Sequence, residues 1–152
     1  MGVSQGQLVL ADDDERDIGL PLTSIIRRKA GAANAEVVAG YRGAVMRLER
    51  QPTPGIVILD FDYSNNDRTR TGVHLALWMR EQPHLANTKR VLYSSMDRAV
   101  IEATLREQIA VNPALEGITL DTLFTRVVPK DSSHGPLVLI EMLRLDQNGN
   151  RS

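Results

Sequence analysis

Acidic, hydroxyl and ammonium side chains follow directly on short apolar runs at four places in this chain. Asp12-Asp13-Asp14 follows Leu8-Val9-Leu10-Ala11, and Asp60-Phe61-Asp62 follows Ile56-Val57-Ile58-Leu59. Ser94-Ser95 follows Val91-Leu92-Tyr93, and Pro129-Lys130-Asp131 follows the run 124–128. Each alone is ordinary, since a carboxylate pair or a lone lysine is usually a solvated cap or a surface charge. Together they would form a reactive set. Two unit charges about 4 Å apart interact by roughly 4 kcal/mol at an effective dielectric near 20. Asp12, Asp13 and Asp60 would therefore repel strongly, and Lys130 offsets only part of that charge. A divalent cation would offset the rest, and oxygen ligands without a neighbouring histidine or cysteine suit Mg2+. A carboxylate beside Mg2+, a lysine and a hydroxyl is equipped to attack a phosphoryl group whose equatorial oxygens are held.

Such a set forms only if the backbone brings those four strand ends to one place. The runs 8–11, 56–59, 91–93 and 124–128 read as strands buried on both faces. Thr125 and Arg126 interrupt the last and suit an edge strand, and 36–39 is a shorter fifth candidate. Helical spacing of Ile18, Leu22, Ile25 and Ile26 predicts a helix that stops near Ala30-Gly31 and that, because of Pro21, either begins near Leu20 or is kinked there. Further helices are predicted over 42–51, 72–82, 97–109 and about 135–145. Pro52 and Pro83 close the first two of these, and Asp97 is a candidate N-cap for the third. Five alternations of strand and helix predict an α/β fold, a parallel sheet covered on both faces. Right-handed crossovers then bring every carboxyl end to one edge, where open sheets bind ligands.

Composition narrows the function classes. The chain has 152 residues, which predicts one domain spanning 1–152, with a core of about 7–145 and polar tails at 1–6 and 146–152. Cysteine is absent, which excludes thiol catalysis and cysteine-ligated zinc and suits a reducing cytoplasm. No apolar run approaches a membrane span, and residues 1–5 lack a signal-peptide pattern. With 18 basic and 19 acidic residues the net charge is −1, so no nucleic-acid partner is expected. Arg27-Arg28-Lys29 reads as the basic end of a helix, favourably placed against its dipole.

The stretches 8–14 (LVLADDD), 56–60 (IVILD), 72–80, 91–95 and 127–133 (VVPKDSS) resemble the receiver domains of bacterial response regulators in two-component signalling. The resemblance runs from Leu8 to Leu145. It implies a flavodoxin-like (βα)5 doubly wound sheet with strand order 2-1-3-4-5. It also implies that Asp60 is the phosphoacceptor, that Ser94 is the switch hydroxyl and that Lys130 is the invariant lysine. Mg2+ would be held by Asp12, Asp13 and Asp60, together with the main-chain carbonyl of Asp62. Ser95 falls where a small residue lets the phosphoryl donor approach. The implied partners are a sensor histidine kinase or phosphotransfer protein, a downstream protein target and, as an alternative, a second copy in a homodimer. Any chemistry would be limited to self-phosphorylation from a donor and autodephosphorylation.

Three departures from the family pattern stand out. The loop 61–71 is longer than usual, lacks the customary proline, and carries Arg68 and Arg70, which read as exposed loop arginines. The segment between Ser94 and Lys130 is also longer, with the excess in 110–123 around the turn signals Asn112-Pro113 and Glu116-Gly117. Few core anchors are evident there, so this is predicted to be the softest part of the fold. Val127 stands where the family has an aromatic ring that turns inward on activation. Motion of Ser94 is then expected to pass into 96–123 instead. His74, His84 and His134 lack metal-ligand spacing and read as surface or helix positions, with tuning of the active edge by nearby His74 the lesser alternative, while Trp78 reads as packing.

Two other functions compete. A receiver-like module that is never phosphorylated would explain Val127 and the insertions, but it has no need of like charges at one edge. Ile58-Leu59-Asp60-Phe61-Asp62 also resembles the first motif of haloacid-dehalogenase-like phosphatases, with Asp60 as nucleophile and Asp62 as general acid. That family begins with this motif and needs a later acidic pair, which Asp131, Glu141 and Asp146 do not form. No output segment is read after Leu145, so action through protein binding, phosphoryl relay or a phosphoryl sink is expected.

Overall fold

A computed structural model describes residues 7–12, 34–61 and 70–129, with the backbone alone at 7–12, 34–37 and 39. The five expected strands form one parallel sheet: β1 (Gln7–Asp12), β2 (Asn34–Ala39), β3 (Ile56–Leu59), β4 (Lys89–Ser94) and β5 (Arg126–Pro129). Their order is β2-β1-β3-β4-β5, the flavodoxin-like arrangement expected from the resemblance. All four residues of β3 are buried, as a central strand covered on both faces requires. At the opposite extreme, β5 is an edge strand with Arg126 and Pro129 exposed. Proline is tolerated there because an edge leaves one side of the ladder unpaired.

Four helices connect the described strands: α1 (Gly40–Leu48), α2 (Gly72–Arg80), α3 (Arg98–Val111) and α4 (Leu120–Leu123). Gly40 enters α1 directly from β2 with φ +74°, a left-handed turn that a glycine makes without steric cost. This helix starts before the predicted 42 and ends before 51. Arg47, only 3% exposed, turns its guanidinium back to donate to the Arg50 and Pro52 carbonyls at 3.4 and 3.0 Å, so the chain leaves the helix at Leu48. Helix α2 likewise stops short of 82, and Pro83 opens a 3-10 turn over Pro83–Leu85. Asp97 is the N-cap residue of α3, but its side chain makes no capping hydrogen bond. The predicted helices near 18–30 and 135–145 lie outside the described residues.

The long segment before β5 departs from the reading as a soft, poorly anchored stretch. A 3-10 turn (Pro113–Leu115) leads through Gly117, at φ +93°, into α4. Leu115, Leu120, Leu123 and Phe124 are 8%, 2%, 0% and 1% exposed and belong to the main hydrophobic cluster with Ile101, Leu105 and Leu92. Each fully buried side chain of this size contributes roughly 1.5–3 kcal/mol of transfer free energy. Leu120, Leu123 and Phe124 keep i, i+3, i+4 spacing on the single turn of α4 and its cap, a run too short to stand out in the sequence, and Leu115 joins them from the preceding 3-10 turn. Phe124 is also not a strand residue: it caps α4, its N–H donating to Leu120 O at 2.9 Å, and the strand begins at Arg126. The Arg90 guanidinium donates to Leu123 O at 2.7 Å and ties the segment to β4.

Candidate functional site

Parallel register decides which residues meet at the carboxyl edge. Ala11 pairs with Leu59 and Leu59 with Leu92, while Asp12 lies opposite Ala39 at the end of β1. The residues after Ala11 and Leu59 are Asp12 and Asp60, so the two acidic positions follow neighbouring, registered strands. Ser94 ends β4 and pairs with Pro129, the last residue of β5, so those two strand ends share the same edge. The backbone thus brings Asp12, Asp60 and Ser94 to one edge. Asp13, Asp62 and Lys130 lie outside the described residues, as do Arg68 and His134. Among the described residues no group of three or more metal-ligating side chains assembles.

Asp60 is half-buried, and its Oδ1 accepts the Phe61 N–H at 2.7 Å. That short bond orients the carboxylate from its own chain. Phe61 is anchored in turn, 4% exposed in the core, with its carbonyl accepting the Gly72 N–H at 2.9 Å. Helix α2 therefore begins against the Asp60 peptide. A Cβ at Gly72 would strike the Asp60 carbonyl oxygen and touch Leu92 Cδ1, so only glycine permits this approach. On the neighbouring strand Ser94 is 6% exposed, and its Oγ accepts the Met96 N–H at 3.0 Å, while Ser95 is exposed. Val127 is half-buried opposite Leu92 and packs against the core cluster that holds Phe124.

The N-terminus of α2 carries an element that the sequence reading passed over. Thr71 and His74 form a reciprocal cap: Thr71 N–H donates to His74 Nδ1 at 3.2 Å, and His74 N–H donates to Thr71 Oγ1 at 3.4 Å. Thr71-x-x-His74 is the capping-box spacing with histidine in place of the usual Glu or Gln, which is why a scan for the standard motif misses it. His84 is exposed, in line with its reading as a surface position, and places Nε2 2.7 Å from Leu48 O. At the start of α1, burial raises the Tyr41 phenol pKa above its usual value, and the Arg70 guanidinium partly opposes this. Arg70 is exposed, as read from its loop position. Trp78 is half-buried and packs against the core, in line with its reading. No described helix is long and apolar enough to cross a membrane.

No protein-family model matches the chain, and no curated protein matches it by sequence. Solved structures do match. The signal receiver domain of a signal transduction histidine kinase from Syntrophus aciditrophicus superposes with a TM-score of 0.66 at 18% identity, covering 95% of this chain and 91% of that one. A CheY-like response regulator receiver domain protein from Methanospirillum hungatei JF-1 gives 0.67 at 12% identity, covering 95% and 96%. A LuxR-family DNA-binding response regulator from Staphylococcus aureus gives 0.61 at 21% identity, covering 93% and 98%. The sheet order, the crossovers and these likenesses agree: this chain has the fold of the CheY-like response-regulator receiver domains.

Proposed function

We propose that this chain is a phosphoacceptor receiver of two-component signalling, taking a phosphoryl group on Asp60. The observation that carries the reading is the position of Asp60. It is half-buried, it directly follows the central strand, and the strand ends on either side carry Asp12 and Ser94. In the transfer, a carboxylate oxygen of Asp60 forms the new bond to phosphorus, and the bond from phosphorus to the donor's leaving group breaks with its electron pair. Phe61 N–H holds the carboxylate in orientation throughout. Ser94, after releasing Met96 N–H, is the hydroxyl within the same edge that would donate to the transferred group. By resemblance, Lys130 supplies a positive charge to it.

The donor set fits a hard cation, being carboxylate and carbonyl oxygen throughout. Asp12, Asp13, Asp60 and the Asp62 carbonyl are the residues that would hold Mg2+, whose charge would offset that of the carboxylates and the phosphoryl oxygens. The proposed donor is a histidine kinase or phosphotransfer protein, and the output is binding to a protein target. Incubation with acetyl phosphate and Mg2+ followed by intact-mass measurement tests the reading. Wild type should gain one phosphoryl group, and Asp60→Asn, chelated wild type and Asp13→Ala should gain little or none. Full labelling of Asp60→Asn would overturn it.

A further inference from the structure

We infer that His74 is a positioning residue for Asp60, acting through the cap of α2; the inference rests on the phosphoacceptor reading. A continuous set of bonds joins the two. Thr71 N–H donates to His74 Nδ1 at 3.2 Å, and Thr71 Oγ1 lies 2.8 Å from the same nitrogen. Because Nδ1 accepts the backbone N–H, the ring proton sits on Nε2, and the Thr71 hydroxyl is the donor in the second contact. The next residue, Gly72, donates its N–H to Phe61 O at 2.9 Å, and Phe61 N–H donates to Asp60 Oδ1 at 2.7 Å. Phe61 is thus gripped by the helix start through its carbonyl and grips the carboxylate through its N–H, the two successive peptide units being joined at its buried Cα.

This region has little slack. Thr71 is 3% exposed, and the Gly72 Cα lies against the Asp60 carbonyl and Leu92. A buried N-cap whose N–H has lost its acceptor carries the cost of an unsatisfied donor, which the first turn relieves by fraying. Fraying moves Gly72 N–H, hence the Phe61 carbonyl it holds, and through the backbone of Phe61 the N–H that orients Asp60. A small change in the angle of a nucleophile costs rate without altering how the donor is bound. His74 itself belongs to α2, and the transferred group need not touch it.

The test is the rate of labelling of the full chain by acetyl phosphate with Mg2+ as donor concentration is raised, read by intact mass. His74→Ala removes the acceptor, whereas His74→Gln restores one at the position where the capping box uses it. His74→Ala should lower the maximal rate on the order of tenfold, leave the half-saturating donor concentration within about twofold, and be largely rescued in His74→Gln. Wild-type rates in His74→Ala, or equal losses in both variants, would overturn the inference while leaving the phosphoacceptor reading standing. An unlabelled wild type would overturn that reading and this inference with it. If His74→Ala does not fold, amide exchange in wild type decides: a protected Thr71 N–H supports the cap, and a Thr71 N–H exchanging at the unprotected rate overturns it.

Discussion

Gly72 and Asp60 touch backbone to backbone, with the first residue of α2 pressed against the carbonyl oxygen of the residue that follows β3. The contact leaves no room for a side chain. Gly72→Ala should therefore displace the helix start or the Asp60 peptide and destabilise the fold by about 1–3 kcal/mol, as overpacking does. Urea denaturation gives the stability loss, and the labelling rate should fall with it. An unchanged midpoint would mean that the helix can slide away freely.

The segment before β5 is held by Phe124, 1% exposed, and by Leu120 and Leu123 beside it. Phe124→Ala should cost about 3–5 kcal/mol, the usual range for a buried phenylalanine. In native-state exchange the Phe124 amide, bonded to Leu120 O, should be protected close to the global stability rather than open locally. Fast exchange there would restore the picture of a soft insertion.

Ser94 Oγ is committed to Met96 N–H, at the entry to α3. If the hydroxyl turns to a phosphoryl group on Asp60, that N–H loses its acceptor. Beryllofluoride, a phosphoryl mimic, should therefore speed exchange of the Met96 amide, and Ser94→Ala should show the fast rate without the mimic. A Met96 amide indifferent to both would place the outgoing signal elsewhere.

Much of the fold was legible because its signals are local. Continuous apolar runs mark β1, β3 and β4, and strand–helix alternation leads to the parallel order. The boundaries that moved were set by contacts distant from the pattern, such as Arg47 reaching the Pro52 carbonyl. Leu115 from a 3-10 turn and Leu120 and Phe124 from α4 and its cap reach one core, and elements of three and four residues are too short to display a period. At the site, Asp60 and Ser94 were legible as strand ends. The Thr71–His74 cap was hidden because histidine takes the place of a carboxylate or amide.

Burial and the Arg70 charge act in opposite directions on Tyr41, and burial prevails. Its folded pKa is above the usual phenol value of about 10, so folding favours the neutral phenol. The corresponding stability is fully present below about pH 10 and is lost as pH rises through the folded pKa. Ultraviolet titration of wild type against Tyr41→Phe should show one phenol ionising late, and Arg70→Ala should delay it further. Earlier ionisation in Arg70→Ala would contradict the electrostatic pairing.

A phosphoryl group on Asp60 would be an acyl phosphate, which can be mapped chemically. Borohydride reduces an aspartyl phosphate to homoserine, which peptide sequencing by mass spectrometry locates to a single residue. After treatment with acetyl phosphate and Mg2+, homoserine should appear at position 60 alone and be absent when Mg2+ is chelated. Homoserine at position 12, 13 or 62 with Asp60 intact, or at none of them, would contradict the assignment to Asp60.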